Sequence, residues 1–449
     1  MKKFDVIVIG TGSGAFVARK CAEAGKKTCI IDNLPFGGTC ALRGCIPKKI
    51  LTGIANVLFL NEQLQRHGIK NSSSGSWKDL MKFKKTFTDP VPQKRETALE
   101  KVGIVTYNGR AHFLSDNTLQ VNDDILYADK FVIAVGSKPA RLSIPGEEFL
   151  SDSTDFLQMK ELPGKLIFVG GGFIAFEFAF IAASFGAKVI ILQRGNRPLK
   201  NFDTDIVKHL VKAAESRGIK VVLNTEVKSI LKRSSDIMIK ADSGGKELRF
   251  TGQIAVHAAG RSPDIEDLGL EKINVATGKN GIKVNKYMQS VTNPNVYSCG
   301  DANDSGLPLT PVGSMEAVNL VENLLNGNNT EIEYGNIPSN VFSIPPLAKV
   351  GLTEDEAKKK KLKFVTVYKD TTGWYSSKRL NEKVSAFKIL IEKKTDLILG
   401  AHLLGYNADE IINIFALAMN NGIKAGELRK TIFTYPTNAS DISSMLKVN

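Results

Sequence analysis

Residues 4–32 read FDVIVIGTGSGAFVARKCAEAGKKTCIID. The apolar run Phe4 to Ile9 stops at Gly10-Thr-Gly-Ser-Gly-Ala15, resumes as a helical pattern through Ala24, and is followed by a second apolar run, Thr28 to Ile31, ending at Asp32. Strand, glycine turn, helix, strand and acid, in that order, make the βαβ unit that binds a dinucleotide. Glycines at 10, 12 and 14 let the backbone approach a pyrophosphate, whose charge then lies at the positive end of the helix. The third glycine is imperfect: either Gly14 comes one place early or Ala15 replaces it. Asp32 is placed to accept hydrogen bonds from a ribose diol.

The pattern occurs again. Lys165 to Val169 reads as a strand, Gly170-Gly-Gly-Phe-Ile-Ala175 as a turn using Gly170 and Gly172, Phe176 to Phe185 as a helix, and Lys188 to Leu192 as a strand. Two such units imply two dinucleotides. Turns that merely cap helices would not explain why both lie between an apolar strand and an apolar helix. Between the units come a polar helical stretch (Lys48 to Arg66), a Ser/Gly loop (Asn71 to Ser76), a charged helix (Trp77 to Lys101) and a strand ending at Gly136. Ile254 to Arg261 reads as a strand closing on Gly260-Arg261, and Asn295 to Asp301 as another ending in an acid. From Gly335 the pattern changes to strands at Phe364–Tyr368, Ala386–Glu392 and Ile398–Leu403 with two amphipathic helices, a separate α+β module.

The 449 residues suffice for roughly three folding units. No stretch approaches the ~18 uninterrupted apolar residues of a spanning helix, and the four-residue run after MKKFD is a strand, not a signal peptide. Five cysteines are too few and odd in number for a secreted disulfide framework, which leaves the cytoplasm as the default. The net charge of +14 invites a nucleic-acid reading. Its cations are scattered, however, and the densest run, Lys358 to Lys361, follows an acidic segment and reads as a solvated helix face. Neither a nucleic-acid nor a membrane partner is expected.

The most informative segment is Phe36-Gly-Gly-Thr-Cys40-Ala-Leu-Arg-Gly-Cys45-Ile-Pro-Lys-Lys49. Two cysteines this far apart at the start of a helix can close a small disulfide, and the helix N-terminus favours a thiolate there. Zinc binding needs further Cys or His ligands, and none are nearby. Buried structural cysteines are the remaining alternative, which suits Cys21, Cys29 and Cys299.

GGTCALRGCIPKK resembles the active-site stretch of the pyridine nucleotide–disulfide oxidoreductases, among them glutathione reductase, dihydrolipoamide dehydrogenase and mercuric reductase. The resemblance runs in order through the Gly10 turn, the Cys pair, VIAVGSKP, GGGFIAFE, AAGRSPD, VYSCGDAND and VGLTEDEA. It implies an α/β fold: two Rossmann-like FAD- and NAD(P)-binding domains plus a C-terminal α+β dimerisation domain, assembled as a homodimer. The expected limits are 1–143 and 264–335 for FAD, 144–263 for NAD(P)H and 336–449 for the interface. It further implies that Asp32 meets the adenosine ribose, Thr39 lies near the flavin, Asp301 holds the ribityl chain, and Thr310 begins a helix facing the flavin. Cys45 matches the cysteine against the isoalloxazine and Cys40 the interchange thiol. Lys48 and Glu177 match the ion pair beside flavin N5, and Phe173 the aromatic gate over the nicotinamide.

Charge decides between the nicotinamide cofactors. NAD calls for an acid after the second strand, but Gln193 stands there, followed by Arg194, Arg197 and Lys200, which suit a 2′-phosphate. NADPH is expected over NADH, which remains possible, unless the basicity is incidental in this Lys-rich chain.

One segment departs from the family. Its C-terminal His-Pro-Thr-x-x-Glu, in which a His from the partner subunit exchanges protons with the interchange thiol, is here Tyr435-Pro-Thr-Asn-Ala-Ser440-Asp441. A phenol is a donor and a poor base near neutrality. Asp441, one place off register, is the available acid. Val318 replaces the arginine that contacts glutathione, and the final residues contain no additional cysteines. The expected activity is therefore an FAD-dependent NADPH:disulfide oxidoreductase passing electrons through Cys40–Cys45 to an unidentified acceptor. Its rivals are a diaphorase, quinone or metal-ion reductase, and a non-catalytic redox sensor.

Overall fold

Both glycine turns sit where the sequence puts them, for the same steric reason. In the computed structural model, which describes residues 1–71 and 73–448, Gly10 has φ +104° and Gly170 φ +107°. A Cβ at Gly10 would stand 2.2 Å from the carbonyl oxygen of Ala134, and one at Gly170 2.4 Å from that of Ala258. Only glycine combines that backbone with that approach. Ser72, within the expected Ser/Gly loop, and Asn449 lie outside the described residues.

The chain divides into two compact units. The first comprises Met1–Lys48, Lys82–Ala140 and Arg261–Tyr334. Its central strand Lys2–Ile9 pairs in parallel with Thr28–Asp32 on one side and Asp124–Ile133 on the other. Val105–Asn108 and Val296–Ser298 extend the parallel part, while Ala111–Ser115 and Thr118–Val121 add an antiparallel edge. Strands covered on both faces read as unbroken apolar runs, as Val6–Ile9 and Cys29–Ile31 do.

The second unit comprises Lys49–Met81, Arg141–Gly260 and Gly335–Asn449. A parallel sheet runs in the order Ile219–Val222, Lys188–Leu192, Lys165–Val169, Ile254–His257. The helix Phe173–Ser184 beside it is apolar around its circumference save for Glu177, and buried from Ala175 to Ala182. It starts three residues before the position read from the sequence. An antiparallel five-stranded sheet carries the C-terminal module. Two of its strands, Ser339–Val341 and Leu347–Gly351, are absent from the sequence reading because they are short and bordered by Pro338 and by Pro345-Pro346. The expected single helix Trp77–Lys101 is two, Trp77–Thr88 and Val91–Glu100, broken at Asp89-Pro90. Ile254–Arg261 likewise divides into two strands, Ile254–His257 and Arg261–Pro263.

The second unit is knotted by a buried cation. Lys388, in the strand Ala386–Glu392, is ion-paired to Asp203 at 3.0 Å, Asp205 at 2.6 Å and Glu354 at 2.8 Å. Burial opposes the charge, but the carboxylates outweigh it and hold the ammonium above the ordinary lysine range. Asp203 also caps the helix Thr204–Ser216 through the Asp205 and Ile206 amides. Lys388→Met strands these carboxylates and is expected to cost about 3–5 kcal/mol, seen as a lower denaturation midpoint. A loss below ~1 kcal/mol would mean the knot behaves as an exposed ion pair.

Candidate active site

The redox segment does not open a single helix. Gly38–Arg43 is a short helix carrying Cys40; the chain breaks at Gly44 (φ −148°, ψ −115°), and Cys45 begins the helix Cys45–Gln63. A Cβ at Gly44 would press to 3.0 Å from the Thr39 carbonyl oxygen, so the break is tight. None of the five cysteines is joined in a disulfide in this structure. Cys40 hydrogen-bonds to Cys45, which together with burial pushes its pKa well above the usual thiol range against the opposing effects of Thr310 and Lys48. Cys45 is an exposed residue, and its sulfur is 3.4 Å from the Thr310 hydroxyl. Thr310 opens the helix Thr310–Asn326, with Pro311 in its first turn. Lys48, one turn into the Cys45 helix, is buried.

This segment rests directly on the first glycine turn. Gly37 donates to the Thr11 hydroxyl at 3.0 Å, and a Cβ at Gly38 would stand 2.6 Å from the Gly12 Cα. Asp32 accepts from the Thr11 amide (2.8 Å) and hydroxyl (2.5 Å) on one oxygen, and from the Leu34 amide (2.9 Å) on the other. The acid read from sequence as a ribose ligand thus also pins the turn. Its second oxygen, with one donor, retains a lone pair.

Asp301 accepts from the Ser137 hydroxyl at 2.8 Å, and Ser137 in turn accepts from Arg261 Nε at 2.9 Å. Gly136, Asp301 and Arg261 therefore form one constellation with Ser137, which sequence reasoning missed. It also missed Thr11 and Glu316. Glu316 is fully buried and accepts from the Gly300 amide (2.6 Å), Asn303 (2.9 Å) and the Tyr334 hydroxyl (2.9 Å). Burial pushes its carboxyl up in pKa, against those donors. The one available signal was an acid on the apolar face of the Thr310 helix.

These residues suit FAD. Nothing stands within 4 Å of where a Cβ would be at Gly12 or Gly136, so both leave backbone open to a ligand. Thr39, Cys45 and Thr310 are all exposed.

In the second unit Gly171 donates to Gln193 Oε1 at 2.9 Å, as Thr11 donates to Asp32 in the first. The turn is pinned without a negative charge. Arg194 and Lys200 are exposed; Arg197 is not available, being bonded to the Thr204 hydroxyl and the Lys200 carbonyl and 3.6 Å from Asp355. A Cβ at Gly195 would stand 3.8 Å from the Lys200 ammonium, so that side chain folds over Gly195 beside Gln193. A neutral strand end flanked by exposed cations suits a 2′-phosphate better than a ribose diol. Nothing stands within 4 Å of where a Cβ would be at Gly260 either, and half-exposed Phe173 starts the helix after the Gly170–Gly172 turn. Glu177, only 3% exposed, accepts from the Phe342 amide at 2.9 Å. Lys48 and Glu177 belong to different units.

Tyr435 is 79% exposed. Ser440 and Thr437 cap one another, and Asp441 accepts from Ser376, with burial pushing its carboxyl up in pKa. Both residues in and beside the place of the family's Glu are thus used within their own turn and module.

A family model described as pyridine nucleotide-disulphide oxidoreductase matches residues 4–317, and that family's dimerisation domain matches residues 337–446. The chain belongs to this family. It is an FAD-dependent NAD(P)H:disulfide oxidoreductase with a C-terminal dimerisation domain. It is 32% identical to glutathione reductase of Nostoc sp. across 98% of this chain and 99% of that one. It is 31% identical to dihydrolipoyl dehydrogenase of Buchnera aphidicola across 98% and 94%. Among solved structures it resembles a Cu(II) complex of the HOCl-induced flavoprotein disulfide reductase RclA from Escherichia coli, with TM-score 0.88, 26% identity and 99% of both chains covered. Among the described residues no helix is long and apolar enough to cross a membrane.

The thiol geometry gives a direct labelling test. In flavin-free protein, limiting iodoacetamide is expected to alkylate exposed Cys45 before Cys40, which keeps its proton, and FAD is expected to shield Cys45. Peptide mass spectrometry that found Cys40 modified first, or no shielding, would contradict this arrangement.

Proposed function

We propose that this enzyme oxidises NADPH and delivers the electron pair through Cys40–Cys45 to a small disulfide bound near Tyr435 of the opposite subunit in a homodimer, in the cytoplasm. The observation that carries the reading is the contact set of Cys40, Cys45 and Thr310, which holds two thiols within hydrogen-bond reach beside an open surface. FAD, when bound, supplies the two-electron carrier between nicotinamide and sulfur.

The chain's own residues do the rest. Gly10, Gly12, Gly14 and Asp32 receive the adenosine diphosphate part of FAD; Asp301, placed by Ser137, takes the ribityl hydroxyls; Thr39 and Thr310 border the flavin. Lys48 would set the charge near the flavin ring, and in the second unit Phe173 would cover the nicotinamide position. Gly170, Gly172 and Gly260 line the NADPH path, with Arg194 and Lys200 on its 2′-phosphate. Cys40, the proton-holding thiol, attacks the acceptor disulfide after giving its proton to solvent; one acceptor sulfur leaves as a thiolate and takes a proton from the Tyr435 hydroxyl, which solvent restores. The mixed disulfide is resolved by Cys45, which restores the Cys40–Cys45 bond and releases the second thiol.

A second reading, reduction of a metal ion or quinone, is favoured by the absence of a base at Tyr435 and the commitment of Asp441 to Ser376. The RclA relative's complex with Cu(II) points the same way.

Turnover of disulfides, quinones, Cu(II) and Hg(II) with NADPH and NADH separates the readings. Disulfide turnover is expected to prefer NADPH, to be lost in Cys40→Ser and Cys45→Ser, and to rise in Tyr435→His, where an imidazole both takes and returns the proton. Undiminished quinone reduction in both serine variants, with no disulfide turnover in wild type, would establish the diaphorase.

A further inference from the structure

The loop from Gln193 to Asp203 holds the second glycine turn at both ends of one residue. Gly171 donates its amide to Gln193 Oε1 at 2.9 Å and accepts at its carbonyl from the Leu199 amide at 3.0 Å. Between those two grips the chain must reverse, and it does so through a β-side-chain-bearing residue in the left-handed region: Leu199 has φ +47° with its side chain buried. A non-glycine residue in that conformation persists only where its surroundings over-determine it, and such strain collects at ligand clamps. Lys200, the next residue, is the cation that folds over Gly195.

What closes the reversal is Arg197. One guanidinium nitrogen donates to the Lys200 carbonyl at 2.9 Å, and another to the hydroxyl of Thr204 in the first turn of the Thr204–Ser216 helix. That fork ties the strained turn to a helix whose N-terminus Asp203 already caps and Lys388 anchors. The carboxylate of Asp355 is 3.6 Å away but largely exposed, so its own contribution is small. A lysine at 197 has no planar fork and cannot span both acceptors in that geometry.

We propose that Arg197 is a positioning residue for 2′-phosphate recognition. It does not contact the phosphate; it braces the Leu199 turn so that the Lys200 ammonium stands over Gly195, the residue after Arg194, at the end of the Lys188–Leu192 strand. This rests on the reading of Arg194 and Lys200 as the 2′-phosphate site. The brace requires the guanidinium fork and the Thr204 hydroxyl together, so loss of either is felt at Lys200 while the adenosine surface on the glycine turn is unchanged.

Calorimetric titration of the FAD-loaded protein with adenosine 2′,5′-bisphosphate and with 5′-AMP tests it without turnover. Arg197→Met and Thr204→Val are each expected to weaken the bisphosphate by about tenfold, the scale of one charge-assisted hydrogen bond, and to leave 5′-AMP unchanged. Arg197→Lys keeps the charge without the fork and is expected to recover only part of the affinity. Full recovery in Arg197→Lys, or loss in Arg197→Met with none in Thr204→Val, would show that the charge acts directly and overturn the brace. Equal loss for both ligands would show a general collapse of the turn and overturn it too. If Arg194→Met/Lys200→Met binds the bisphosphate as tightly as wild type, the phosphate site itself is elsewhere, a failure of the underlying reading and not of the brace alone.

Discussion

The redox site of the first unit centres on a sulfur–hydroxyl contact, Cys45 to Thr310, between residues 265 apart in sequence. A dithiol is useful only if both sulfurs are held within reach of each other and of an open surface, and neither helix of the redox segment could achieve this alone. The break at Gly44 puts Cys40 and Cys45 on separate helices, and the turn Gly37–Gly38 seats the first of these on the Gly10–Gly12 backbone. The second helix begins at its cysteine, and the Thr310 helix meets that sulfur with its own first residue. The strand pairings that bring residues 4, 28, 131 and 296 into one sheet bring these pieces together.

Two glycine turns are built by one rule and charged differently. In each, the residue closing the second strand accepts an amide from the turn: Asp32 from Thr11, Gln193 from Gly171. The hydrogen bond is common to both, so the side chain's shape serves the fold and its charge is left to serve the ligand. A carboxylate suits a ribose diol; an amide flanked by Arg194 and Lys200 suits a phosphate. The second turn is further committed by the buried knot at Lys388, which joins the helix after its loop to the C-terminal sheet within the same unit.

What was legible in the sequence was whatever local chemistry dictates. Strand–glycine–helix–strand order is set by sterics at Gly10 and Gly170, and both were read correctly. The redox segment and the family resemblance were legible because their residue types and order are unusual. What stayed hidden is decided by tertiary contact. Nothing local marks Thr11, Ser137 or Glu316 as supports for Asp32, Asp301 and Gly300. Arg197 looked like one more cation, and only its bonds to Thr204 and the Lys200 carbonyl show its charge to be already used. Gly44 gave no sign that it breaks a helix in two, since the close approach of the Thr39 carbonyl to it is a contact made only in the fold. Asp89-Pro90, by contrast, was a visible break that the charge pattern on either side obscured.

The central claim is that the thiols of Cys40 and Cys45 exchange electrons with the bound flavin. Anaerobic dithionite titration of the purified holoprotein, followed by flavin absorbance and thiol counting, tests it most directly. Wild type is expected to take up roughly two two-electron equivalents per chain, and Cys40→Ser and Cys45→Ser roughly one. Uptake of a single equivalent by wild type, matching the variants, would mean that the sulfur pair is electronically silent.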